Sequence, residues 1–126
     1  MNIKHFESFN DLSVAEAIKE AEAKTGQVEL ATSHGFWDSD EFYEEYESSS
    51  YDYFEKKATE YSSVLGEPTF RGSHADPGFP DNYEEQFGVH ADFLVTWKYN
   101  DQTYGLAIVQ PDREIPFIVT FQKIPQ

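Results

Sequence analysis

The sequence contains no cysteine, which excludes disulfides, thiolate zinc centres and thiol nucleophiles in one step. No apolar run approaches the length of a membrane span, and the N-terminal stretch MNIKHFESFNDL lacks the basic-then-apolar order of a secretory leader. Cations are scarce as well: 9 Lys and Arg stand against 24 Asp and Glu, for a formal net charge of −15. A chain so charged repels nucleic-acid phosphates and anionic lipid, so neither nucleic acid nor membrane is expected as a partner. The seven glycines are scattered rather than gathered into a phosphate-binding loop, and no serine sits in a GxSxG elbow. The expectation is a soluble, cytoplasmic protein with no catalytic residues and no cofactor.

Aromatics are abundant. At 17 % of 126 residues they supply enough buried area to fold a chain whose net charge alone would point to disorder. The length fits a single domain over residues 1–126. The charge is also segregated. Residues 34–60 hold nine acids against two lysines, whereas in residues 93–126 three acids balance three cations.

Hydrophobic spacing sets out the elements. Ser13 and Glu16 form a capping box, and Leu12, Val14, Ala17, Ile18 and Ala21 follow at helical intervals until Gly26 stops the helix. Residues 2–9 read as a short strand or irregular lead-in, and Gln27–Thr32 as a short strand or extended link. A second capping box, Asp38 with Glu41, predicts a helix from about 39 to 47. Ser48, Ser49 and Ser50 then interrupt it and cap a further helix from about 51 to 65, ended by Gly66 and Pro68. Residues 69–90 are rich in Gly, Pro and Asp and read as a long loop with a short strand at Thr69–Arg71.

The last third reads as three strands, Ala91–Tyr99, Thr103–Val109 and Phe117–Ile124. Alternation puts Phe93, Val95, Trp97 and Tyr99 on one face of the first. Tyr104, Leu106 and Ile108 share a face of the second, and Phe117, Val119 and Phe121 a face of the third. These faces need cover that the preceding helices can provide. The expected fold is therefore α+β: an antiparallel β-meander of three to five strands with two or three helices packed on one face.

Two chemistries compete for the function. His34, Asp38, Asp40, His74, Asp76, His90 and Asp92 include enough imidazole and carboxylate for a metal if they converge. That alternative is a small ligand- or metal-binding domain or enzyme built on residues 73–92, with a pocket lined by Trp97 or Tyr104. Helical HExxH pairing and the glycine and terminal glutamate of a calcium loop are absent, so no metal ligands are assigned. A further alternative is an acidic adaptor with no single client.

The stronger pattern is the acid-and-aromatic stretch 34–60, whose carboxylates steer while its rings adhere. Trp37, Asp38, Asp40, Glu41, Tyr43, Glu44, Glu45, Tyr46 and Glu47 are the expected partner-binding residues. Phe42, Phe54 and Tyr61 are assigned to the buried stripe, and Tyr43, Tyr46 and Tyr53 to the exposed side.

Leu65–Pro68 (LGEP), Trp97, Tyr104–Ala107 (YGLA) and the turn Asp112–Pro116 (DREIP) resemble segments of small acidic immunity proteins of bacterial toxin–immunity systems. The resemblance implies a cytoplasmic protein that neutralises a basic cognate toxin, such as a nuclease, by occluding its surface. It carries no binding-site signature onto particular residues.

Overall fold

A computed structural model describes residues 3–23, 26–35, 42–80, 83–88, 91–112 and 115–125. In chain order they form a 3-10 turn (Ile3–His5), β1 (Phe6–Phe9), α1 (Val14–Ala23), β2 (Val28–Ser33), α2 (Tyr43–Leu65), β3 (Phe70–Gly72), α3 (Tyr83–Phe87), β4 (Phe93–Tyr99), β5 (Gln102–Val109) and β6 (Ile118–Ile124). The strands make one sheet in the order β1-β2-β6-β5-β4-β3. Every neighbouring pair is antiparallel. The α+β class is as expected, and the sheet, at six strands, is wider than the anticipated meander because β1, β2 and β3 join its two edges.

The meander itself follows from alternation. Asn100 and Asp101, both at positive φ, form a two-residue turn that closes the β4–β5 hairpin between Tyr99 and Gln102. Val95, Trp97, Tyr104, Leu106, Ile108, Phe117, Val119 and Phe121 then point to one face. Helices α1 and α2 cover that face: Val14, Ala17 and Ala21 enter the core from α1, and Tyr53, Phe54, Ala58, Tyr61 and Leu65 from α2. The Ser13–Glu16 capping box forms as expected. The Ser13 N–H donates to Glu16 Oε1 at 3.1 Å and the Glu16 N–H to Ser13 Oγ at 3.3 Å.

Residues 43–65 form one helix, not two. The three serines do not break it, because the buried stripe runs straight through them: Ser49 and Ser50 are buried between half-buried Tyr46 and buried Tyr53. Serine is a poor helix former mainly where its hydroxyl can bond the backbone elsewhere. Here Ser49 Oγ is taken by His5 Nδ1 at 2.6 Å. Gly66, at φ 97°, ends the helix and donates its N–H to the Ser62 carbonyl.

The opposite face of the sheet carries a second core, which the loop reading of 69–90 missed. Tyr83 of α3, Ala91, Leu94, Ala107, Val109 and Ile124 are buried there, with Phe70, Phe79, Phe87 and Ile118 packed around them. Gly105 belongs to this face. A Cβ at that position would lie 2.7 Å from Ile124 Cδ1 and 3.1 Å from Leu94 Cδ1. Gly105→Ala is therefore expected to destabilise by about 1–2 kcal/mol through overpacking, where alanine would ordinarily help a strand. A urea midpoint that rises instead would show that Ile124 swings aside freely.

Candidate functional site

Helix α2 spans 23 residues, about 34 Å at 1.5 Å per residue. With its inner side committed to the core, its outer side carries Glu44, Glu45, Ser48, Asp52, Glu55, Lys56, Thr59, Glu60 and Ser63, all exposed. Glu47 is half-buried at the flank. Not all of this charge is open. Glu55 pairs with Arg71, whose guanidinium also lies over the Phe93 ring, and Glu60 pairs with Lys57 at 2.9 Å. Glu44, Glu45, Glu47 and Asp52 make no hydrogen bond or ion pair among the described residues. Glu44 and Glu45 occupy the first turn, where the helix dipole favours carboxylates. Asp52, more than two turns further on, has no such reason to be there.

Lys57 reads in the sequence as a cation offsetting the acidic stretch, yet it faces inward. Only 2 % exposed, it reaches Asp11 Oδ1 at 2.8 Å and donates to the Leu12 carbonyl at 2.9 Å. Its ammonium also lies against the Tyr53 and Tyr61 rings. The Tyr53 hydroxyl donates to Asp11 at 3.0 Å and the Tyr61 hydroxyl to the Leu12 carbonyl at 2.9 Å. Partial burial by itself raises the Asp11 carboxyl, but the Lys57 hydrogen bond and charge outweigh it and leave Asp11 below its ordinary range. Lys56 is thus the exposed lysine of α2, while the buried Lys57 is shared between Glu60 on the outer side and Asp11.

A ring cluster stands at the N-terminal end of this face. Tyr46 packs on His5 at 5.2 Å, on His34 at 5.9 Å and on Phe42 at 6.0 Å between centroids. Tyr43 turns the other way, stacking edge-on against Phe117 at 5.4 Å and donating its hydroxyl to Gln110 Oε1 at 2.8 Å. Burial pushes the Tyr51 phenol up, and the Asp92, Glu47 and Tyr43 charges add to this.

Of the expected partner-binding residues, Tyr43, Glu44, Glu45, Tyr46 and Glu47 lie together on the first two turns of α2. Trp37, Asp38, Asp40 and Glu41 lie outside the described residues, as does the Asp38–Glu41 capping box. Two aromatic assignments are reversed. Phe42 is 51 % exposed, because it precedes the helix instead of lying in its stripe, and Tyr53 is fully buried against Phe6 and Phe9 of β1. The fold adds His5, which sequence separation hid: it stands 41 residues before Tyr46 and reaches it only because β1 pairs with β2 at the sheet edge.

Of the residues named for the alternative site, Asp38, Asp40 and His90 lie outside the described residues. Trp97 is buried beneath α2, with its Nε1–H donated to Ser62 Oγ at 3.1 Å. Tyr104 is buried too, and its hydroxyl donates to Glu22 Oε1 at 2.7 Å. Burial and the Glu22 carboxylate push its phenol up to about 12. Both side chains are thus closed off from solvent. His74 and Asp76 do border a cavity of about 340 Å³ with Phe79, Pro80 and Glu84. Among the described residues no group of three or more His, Asp or Glu is placed to hold a metal ion, and no helix is long and apolar enough to cross a membrane. No protein-family model matches this chain, and no curated protein or solved structure matches it either.

Proposed function

We propose that this protein is an acidic protein-binding module whose recognition surface is the outer face of α2 and the ring cluster at its N-terminal end. The observation that carries the reading is the set of four carboxylates, Glu44, Glu45, Glu47 and Asp52, that have no hydrogen bond or ion pair among the described residues, beside an exposed Phe42. Uncompensated charge on a rigid helix steers an oppositely charged surface into contact, and an aromatic that can lose water on docking slows its escape. A long helix whose inner side is locked into a sheet presents these groups with little ordering cost on binding. The partner that fits is a basic protein.

The specific form of the proposal is an immunity protein that neutralises a basic toxin by occluding its surface. A toxin acting on nucleic acid fits the charge, since such enzymes present cationic clefts. The test is capture from the native host on immobilised protein, comparing the wild type with a Glu44→Gln, Glu45→Gln, Glu47→Gln, Asp52→Asn variant. A basic partner retained by the first and lost by the second, with the circular dichroism of both unchanged, is the expected result. Equal recovery on both would remove α2 as the recognition face.

A further inference from the structure

Beside the back core lies a cavity of about 340 Å³, bordered by His74, Asp76, Phe79, Pro80 and Glu84 and by no described residue of α2. Its aromatic wall is fixed. The Phe79 ring packs edge-on against Phe70 at 5.9 Å and against the fully buried Tyr83 at 5.6 Å. One carboxylate is fixed as well: Asp76 Oδ2 accepts from the Ser73 N–H at 2.6 Å and from Ser73 Oγ at 3.3 Å. Gly72 of β3 makes room for it, since a Cβ there would stand 2.5 Å from Asp76 Oδ2. Asp76 Oδ1 and the Glu84 carboxylate have no hydrogen bond or ion pair among the described residues. His74 has an interaction partner of its own. None of the described lining residues is Lys or Arg.

We propose that this cavity binds the head of a small organic cation, an ammonium or guanidinium group on a short aliphatic stem, independently of the α2 surface. Asp76 and Glu84 supply negative charge and hydrogen-bond acceptors, and the Phe79 ring attracts a cation that sheds water. An organic cation fits better than a metal ion, because no three His, Asp or Glu side chains among the described residues converge to hold one. The volume admits about ten non-hydrogen atoms at roughly 30 Å³ each, so a short amine fits and a nucleotide does not. The net charge of −15 raises the local concentration of any such cation. A free amine and an arginine side chain on another protein share this chemistry.

Agmatine, added at low ionic strength, is expected to shift the amide resonances of Asp76, Gly78, Phe79 and Glu84 saturably. N-butylurea, of like shape but uncharged, should shift none of them. Glu84→Gln should weaken agmatine binding by about fivefold or more. Glu67→Gln, which removes the same charge from an exposed position elsewhere, should change it by less than about twofold. N-acetylarginine amide separates the two sources: binding as tight as that of agmatine identifies a protein side chain as the occupant, and binding of agmatine alone identifies a free amine. An equal response to N-butylurea, equal weakening by both variants, or shifts spread along α2 instead of these four residues would reduce the effect to a diffuse acidic atmosphere and overturn the proposal.

Discussion

Replacing Lys57 by alanine is expected to lower stability by about 3 kcal/mol, whereas Lys57→Met should cost about 1 kcal/mol or less. The difference comes from what each change leaves behind. Alanine empties the space held by a four-carbon stem that is 2 % exposed, and strips the contacts to Asp11, Glu60 and the Leu12 carbonyl. Methionine keeps the stem. The deserted carboxylates are 46 % and 43 % exposed, so water can take over their solvation, and the Leu12 carbonyl still accepts from Tyr61. Urea unfolding of the two variants decides between packing and charge: equal losses would assign the stabilisation to the ion pairs. The pH dependence has a definite sign. Asp11 is held below its ordinary value in the fold, so its contribution is complete above about pH 4 and is lost as pH falls through the lower folded value. Lys57→Met should weaken that acid-side loss.

The protein should also unfold in alkali, steeply, from about pH 10 upwards. Tyr53, Tyr61 and Tyr83 are fully buried and their phenols are raised chiefly by burial, with the Asp11 and Glu60 charges adding to the first two. Tyr104 is raised to about 12. In the unfolded chain these groups ionise near 10, so above that pH the folded state holds protons that the unfolded state has released. Stability is then full below pH 10 and falls as pH rises towards the folded values, each such tyrosine contributing about 1.4 kcal/mol per pH unit. Four together would exhaust an ordinary domain's stability within about two units. Tyrosinate absorbance and far-ultraviolet circular dichroism should change together in one cooperative step. Ionisation of all eight phenols with the circular dichroism unaffected would contradict the burial of these four rings.

Much of the front core was legible because alternation in strands is strict. Ten residues assigned to one sheet face from Phe93 to Phe121 do lie on it, since a one-residue slip would have turned every one of them outward. Legibility failed where a residue's environment is set by a distant element. Tyr53 follows an acid and precedes Phe54, and nothing local says that the rings of Phe6 and Phe9 cover it. The three serines carry a capping signal, but the continuing stripe of Tyr46, Ser49, Ser50 and Tyr53 and the reach of His5 onto Ser49 override it. The back core was invisible because its cover is irregular chain with rings at Phe79, Tyr83 and Phe87 that match no long periodic template. Within the candidate site, the acids and tyrosines of residues 43–47 could be named from composition and spacing. The inward turn of Lys57 and the pairing of Arg71 with Glu55 could not.

The carboxylates along α2 that have no ion pair among the described residues make association rate the most direct quantity to measure. With the captured basic partner in hand, its association rate constant should be followed across ionic strength for the wild type and for the Glu44→Gln, Glu45→Gln, Glu47→Gln, Asp52→Asn variant. Recognition by this face predicts a wild-type rate that falls steeply with salt and a variant rate at least tenfold slower at low salt, converging on the wild type as screening increases. Rates that coincide for both proteins at every ionic strength would contradict it.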